Sequence, residues 1–178
     1  MRFVVTAEWR ENHLLRLILG AFLVYATIFW VTNCLLYFAR MDLTYASVVQ
    51  FYRGAEERFL QPRSYLVLLE ISHAHLFAMG ILILTLTHLV LFVPLRVAVK
   101  ALLILSSFGG ALLDEAGGWL TRFVHPHFAY VKILGFLSLQ TSLAAMVVTV
   151  GWAVWRTPPN AYRAGRNTPN GQTPLQDR

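Results

Sequence analysis

Four stretches of the chain are apolar almost without interruption, and the charged residues gather between them. The runs cover about Leu14 to Phe38, Ile71 to Val93, Val97 to Leu113 and Ala129 to Trp155. Each is near the roughly 20 residues that a helix needs to cross about 30 Å of hydrocarbon. The pattern therefore predicts four membrane-spanning helices, the second extended back to Ser64. Pro94-Leu95-Arg96 predicts a tight hairpin between the second and third spans, because proline removes a backbone donor and breaks the helix. The third span is short. Asp114-Glu115 followed by Gly117-Gly118-Trp119 reads as a helix end and a turn, with both carboxylates in water. Ser106-Ser107-Phe108-Gly109-Gly110, within the same span, reads as close helix packing through small residues.

The loop after the first span has a pattern of its own. Tyr45, Val48, Val49, Tyr52, Phe59 and Leu60 recur at helical spacing between charges. This predicts either a helix lying on the membrane surface or a cap packed on the bundle, with Gly54 as its weak point. The segment after Trp155 is rich in Pro, Asn and Gly and predicts a disordered tail over 156–178. The expected fold is an all-α integral membrane four-helix bundle over 1–155, with an interfacial helix in its first outer loop.

Composition agrees. Of the 178 residues, 57% are hydrophobic and 13% charged, where soluble domains carry about 25% charged. The net charge of +6 comes from basic residues at the ends of apolar runs. No basic stripe with interleaved aromatics exists, which argues against nucleic acid as a partner. Glu8, Glu11 and the length of the first run argue against a cleaved signal peptide. The single cysteine, Cys34, permits no disulfide within one chain and reads as an apolar packing residue. No C-x-x-C-H motif for covalent haem and no G-x-S-x-G motif occurs.

Basic residues also set an expected orientation. The N-terminal segment, the Pro94 hairpin and the tail hold nine basic and three acidic residues, against six of each on the other side. The positive-inside rule then places both termini in the cytoplasm, in a bacterial cytoplasmic membrane.

Ionisable residues within spans are expensive and are candidates for function. His13 and His88 fall at the cytoplasmic level, and His73, His75, His125 and His127 at the outer level. At 100° per residue, His73 and His88 are offset by about 60° and stand about 22 Å apart along one helix face. Gly80 lies between them, beside Phe77 and Leu84, and leaves room for a flat group. His75 points about 200° from His73, toward the leucine side. These positions raise the expectation of one or two b-type haems between facing helices. The inner would be held by His88 and His13, the outer by His73 with His125 or His127. Arg16 would pair with a propionate at the inner level and Arg122 or Lys132 at the outer one. Stepwise electron transfer between a quinone pool and other membrane redox subunits would follow. The protein would then be an electron-transfer or accessory subunit with no catalytic residue of its own.

Two alternatives stand beside this. His-x-His with Glu70, Asp114 and Glu115 at the outer level is a plausible ligand set for a non-haem transition metal, since imidazole suits Zn, Cu and Fe. A cofactor-free structural or assembly subunit of a larger membrane complex accounts for the span pattern equally well.

Two stretches carry a resemblance: Ile71-Ser72-His73-Ala74-His75-Leu76-Phe77-Ala78-Met79-Gly80, and Leu113-Asp114 through Gly118-Trp119-Leu120-Thr121 to Phe128-Ala129-Tyr130-Val131-Lys132. They resemble a group of small bacterial four-span membrane proteins of unassigned activity. That likeness covers spans two to four and implies topology alone. The layout is also similar to small membrane cytochromes b, which implies haem between antiparallel spans.

Overall fold

The computed structural model describes residues 13–156. The N-terminal charges used for orientation, and the tail expected beyond Arg156, lie outside the described residues. Five α-helices follow one another: α1 (His13–Arg40), α2 (Tyr45–Arg53), α3 (Tyr65–Val90), α4 (Val97–Phe123) and α5 (Ala129–Arg156). All but α2 are long and apolar enough to cross a membrane. Among the described residues there is no strand, only an isolated bridge between Ala55 and Leu60.

Local chemistry explains the boundaries. Thr44 and Ser64 cap α2 and α3, each side-chain oxygen accepting from the backbone N–H three residues on, which satisfies one of the donors that a helix start leaves free. Pro94 ends the turn after α3, and Pro126 sits in the short 3-10 turn that leads into α5. Within the spans, Thr27, Thr85, Thr87, Thr121, Thr141 and Thr149 each donate to a carbonyl one turn back. In hydrocarbon a hydroxyl has no water to turn to, so this internal bond keeps it affordable.

The helices differ in depth. Of the most apolar stretch of α5, 44% is buried, against 11% of that of α1. Against α5 packs α4, and the approach is close because glycines face it. A Cβ on Gly110 would lie 2.7 Å from the Leu139 backbone nitrogen, and one on Gly117 2.5 Å from that of Lys132. Ser106 and Ser142 hydroxyls meet at 2.7 Å across the same seam. In α3 the buried residues are Leu68, Ser72, Met79, Ile83, Leu86, Thr87 and Val90. α1 runs antiparallel along α5: Leu23 is near Gly151, Trp30 Nε1 donates to the Gln140 carbonyl at 3.1 Å, and Tyr37 stacks on Phe136 at 3.7 Å.

One expectation is corrected. The third span does not end at Leu113: α4 runs unbroken through Asp114, Glu115, Gly117 and Gly118 to Phe123. The two carboxylates are held by partners, so the polar stretch is no turn. The helix in the first loop is present and packs as a cap. Val48 and Tyr52 are buried against residues of α4 and α5, and Gly54, at φ 82°, ends it. Beyond it a one-turn 3-10 helix (Glu56–Arg58) leads to Phe59, 92% exposed.

Candidate functional site

At the end of the bundle covered by α2, polar side chains from four helices meet. Asp114 of α4 and Lys132 of α5 are 4% and 8% exposed, and Lys132 Nζ stands 2.8 Å from Asp114 Oδ1. The glycines of the seam make this contact possible, since Gly117 sits against the Lys132 backbone. The contact is one of charge. Asp114 Oδ1 is buried and has no hydrogen-bond partner besides this ammonium among the described residues.

Glu115, half-buried, is fixed differently. Ser72 Oγ donates to Glu115 Oε1 and accepts from Trp119 Nε1 at 2.7 Å. Trp119 thus holds the serine, and the serine aims the carboxylate. From α3, His75 completes the group: its ligand nitrogen and the Asp114 and Glu115 oxygens lie within 4.8 Å of one another. His75 Nε2 is buried and has no hydrogen-bond partner among the described residues, and the same holds for the Tyr37 hydroxyl. Tyr52 descends from α2 onto Gly118, where a Cβ would lie 2.6 Å from the phenolic oxygen. Burial pushes the Tyr52 phenol above its usual range, against the opposing pull of Lys132.

Apart from Ser72, these side chains line a cavity of about 110 Å³, shared with Asn33, Arg40 and Arg63. That is room for an ion and a few waters, and well short of the roughly 300 Å³ at which sites for drug-sized ligands begin. An imidazole, two carboxylates and an ammonium around such a space can hold a cation or pass a proton.

The structure sorts the sequence candidates differently from the expectation. His75, expected to face away, lines the cavity with Asp114 and Glu115. His73 is exposed on the opposite side of α3, with Phe77 and Leu84 at 70% and 63% exposure. The helix is apolar on all sides, so its inward face is chosen by packing, and Met79, Ile83 and Leu86 take it. His88 is exposed as well, beside Phe92. Gly80 opens outward, with nothing within 4 Å of an added Cβ. His13 is exposed and Arg16 half-buried at the start of α1, and Glu70 is exposed one turn before the site. His125 and His127 are exposed on the turn before α5, rings stacked at 4.6 Å and Nδ1 atoms 2.9 Å apart. Arg122 Nε donates to the Arg63 carbonyl at 2.8 Å and so pins the loop before α3.

Sequence reading missed Ser72, Tyr52 and Tyr37. A signal existed for the serine: Leu68, Ser72, Met79, Ile83, Leu86 and Val90 recur at intervals of three, four and seven, one stripe of a helix.

No curated protein and no solved structure matches the chain significantly. Residues 42–161 match the profile of a transmembrane helical domain, a stretch that takes in α2 to α5 and every residue of the polar site except those from α1. With most of its length inside that match, the chain belongs to the Aq_1264_TM family of transmembrane helical domains.

Proposed function

We propose that the protein is a metal-handling membrane protein that binds one divalent transition-metal ion between His75, Asp114 and Glu115. The observation that carries this reading is the convergence of one ligand atom from each of the three residues within 4.8 Å, at a histidine whose Nε2 is buried without a hydrogen bond among the described residues. One imidazole with two carboxylates suits Zn, Fe or Mn. Lys132 supplies the positive charge that Asp114 needs in the metal-free state, and an arriving cation takes over that role. The Trp119–Ser72 relay holds Glu115 ready, as the hydrogen-bonded neighbours of ligating carboxylates do. The basic residues of the Pro94 hairpin and the terminal segments favour cytoplasmic termini in a bacterial cytoplasmic membrane. The site then faces the outer side.

Elemental analysis of protein purified in detergent and dialysed against Zn²⁺, Mn²⁺ or Fe²⁺ tests the proposal. One ion per chain is expected for the wild type and for His73→Ala. His75→Ala and Glu115→Gln lower the affinity by more than the roughly 10–100-fold that an outer-shell partner contributes. Full loading of His75→Ala, or no loading of the wild type, defeats it.

Haem is the second reading. It is favoured by one observation: His73 and His88 are exposed on α3, with open space beside the half-buried Gly80 between them. A second chain would have to complete that site. A b-type absorption band in the dithionite-reduced protein, lost in His73→Ala and kept in His75→Ala, is its test.

A further inference from the structure

Beside the polar cavity, sharing Arg40, Phe51 and Arg63 with its wall but none of the proposed ligands, lies a basin of about 320 Å³ that Ser47, Gln50, Arg58 and Gln61 also line. No carboxylate lines it. Three arginines line it, and among the described residues the one ion pair is Lys132–Asp114. Arg40 and Arg63 also line the cavity that holds Asp114 and Glu115, yet none of the three arginines pairs with a carboxylate among the described residues.

The basin is built rather than incidental. The Arg63 guanidinium lies 4.2 Å above the Phe51 ring, which orients its plane. The Arg63 backbone is held on both sides, its N–H donating to the Tyr52 carbonyl at 3.1 Å and its carbonyl accepting from Arg122. Arg58 is set by the 3-10 turn and the Ala55–Leu60 bridge. Ser47 Oγ accepts from the Asp42 backbone N–H at 2.8 Å, which leaves its own O–H available to donate. Gln50 and Gln61 add amide donors.

We infer that this basin binds a phosphate group, presented by an anionic phospholipid or by free phosphate. Guanidinium forks match phosphate oxygens in pairs, and three forks suit a tetrahedral group with several oxygens better than a lone carboxylate. Because α2 caps the end of four spanning helices, the basin stands at the depth where lipid headgroups lie.

The test uses the whole protein in nanodiscs. One arm titrates inorganic phosphate into discs of phosphatidylcholine, read by calorimetry. The other compares phosphatidylcholine discs with discs containing phosphatidylglycerol, reading lipid retained in native mass spectra. Saturable binding in either arm supports the inference and identifies the source. Arg58→Gln and Arg63→Gln are expected to weaken it about tenfold or more. Arg53→Gln, an exposed position outside the basin, leaves it unchanged. Binding in neither arm overturns the inference, as does an Arg53→Gln loss equal to that of Arg58→Gln, which would reduce the effect to diffuse surface charge. Both arms are run with a chelator present, so neither readout depends on metal loading of the neighbouring cavity.

Discussion

Asp114 lies 4% exposed inside an apolar helix, and a single ammonium accounts for its charge. Breaking a buried pair from one side leaves an uncompensated charge, at a cost of roughly 3–5 kcal/mol. Lys132→Met should therefore destabilise the protein strongly, and Lys132→Met combined with Asp114→Leu much less, as read by thermal unfolding in detergent. Equal losses in the two would show that the pair contributes through packing alone. Tyr52 adds a pH dependence. Burial raises its pKa above the ordinary value near 10, so the unfolded chain releases this proton first. Its contribution to stability is complete below about pH 10 and falls as pH climbs through the raised value. Melting temperatures between pH 8 and 11 should decline more steeply for the wild type than for Tyr52→Phe, and parallel curves would refute the assignment. At this scale the sequence was a poor guide. His73 and His75 differ by about 200° around the helix axis, yet both sides of α3 are apolar, so hydrophobicity could not say which faced inward.

Between elements, close backbone approach sets the geometry of the site. The Gly110–Gly117 edge of α4 and Gly135 of α5 let the two backbones come near enough for Asp114 to reach Lys132. In membranes, where lipid and leucine are equally apolar, small residues and polar contacts drive helix pairing. Gly117→Ala should lower the melting temperature, because the added Cβ meets the Lys132 backbone nitrogen at 2.5 Å. Gly80→Ala, facing open space, should be neutral or stabilising by about 0.5–1 kcal/mol. A neutral Gly117→Ala would contradict the seam. The four spans were readable because a helix in hydrocarbon must be apolar along its length. The last ten residues of α4 were not. Asp114 and Glu115 interrupt the hydropathy run, and their partners, Lys132 and Ser72, come from elsewhere in the chain.

The whole molecule has two ends of different character. One carries the Pro94 hairpin, the start of α1 and the finish of α5; the other carries α2, the polar cavity and the arginine basin. An even number of spans puts both termini on one side, and reporter fusions at residues 1 and 178 should both read cytoplasmic, with a fusion at Phe59 on the opposite side. Opposite signals from the two termini would refute the four-span arrangement. The ion pair across the α4–α5 seam also bears on how the protein is made. Entering lipid singly, each helix would bring a naked charge, costing about 2.5–3.5 kcal/mol at mid-bilayer and less toward the edge. Delivered together by the short His125–Phe128 connection, they can neutralise each other on arrival, so biogenesis favours insertion of the two as one hairpin.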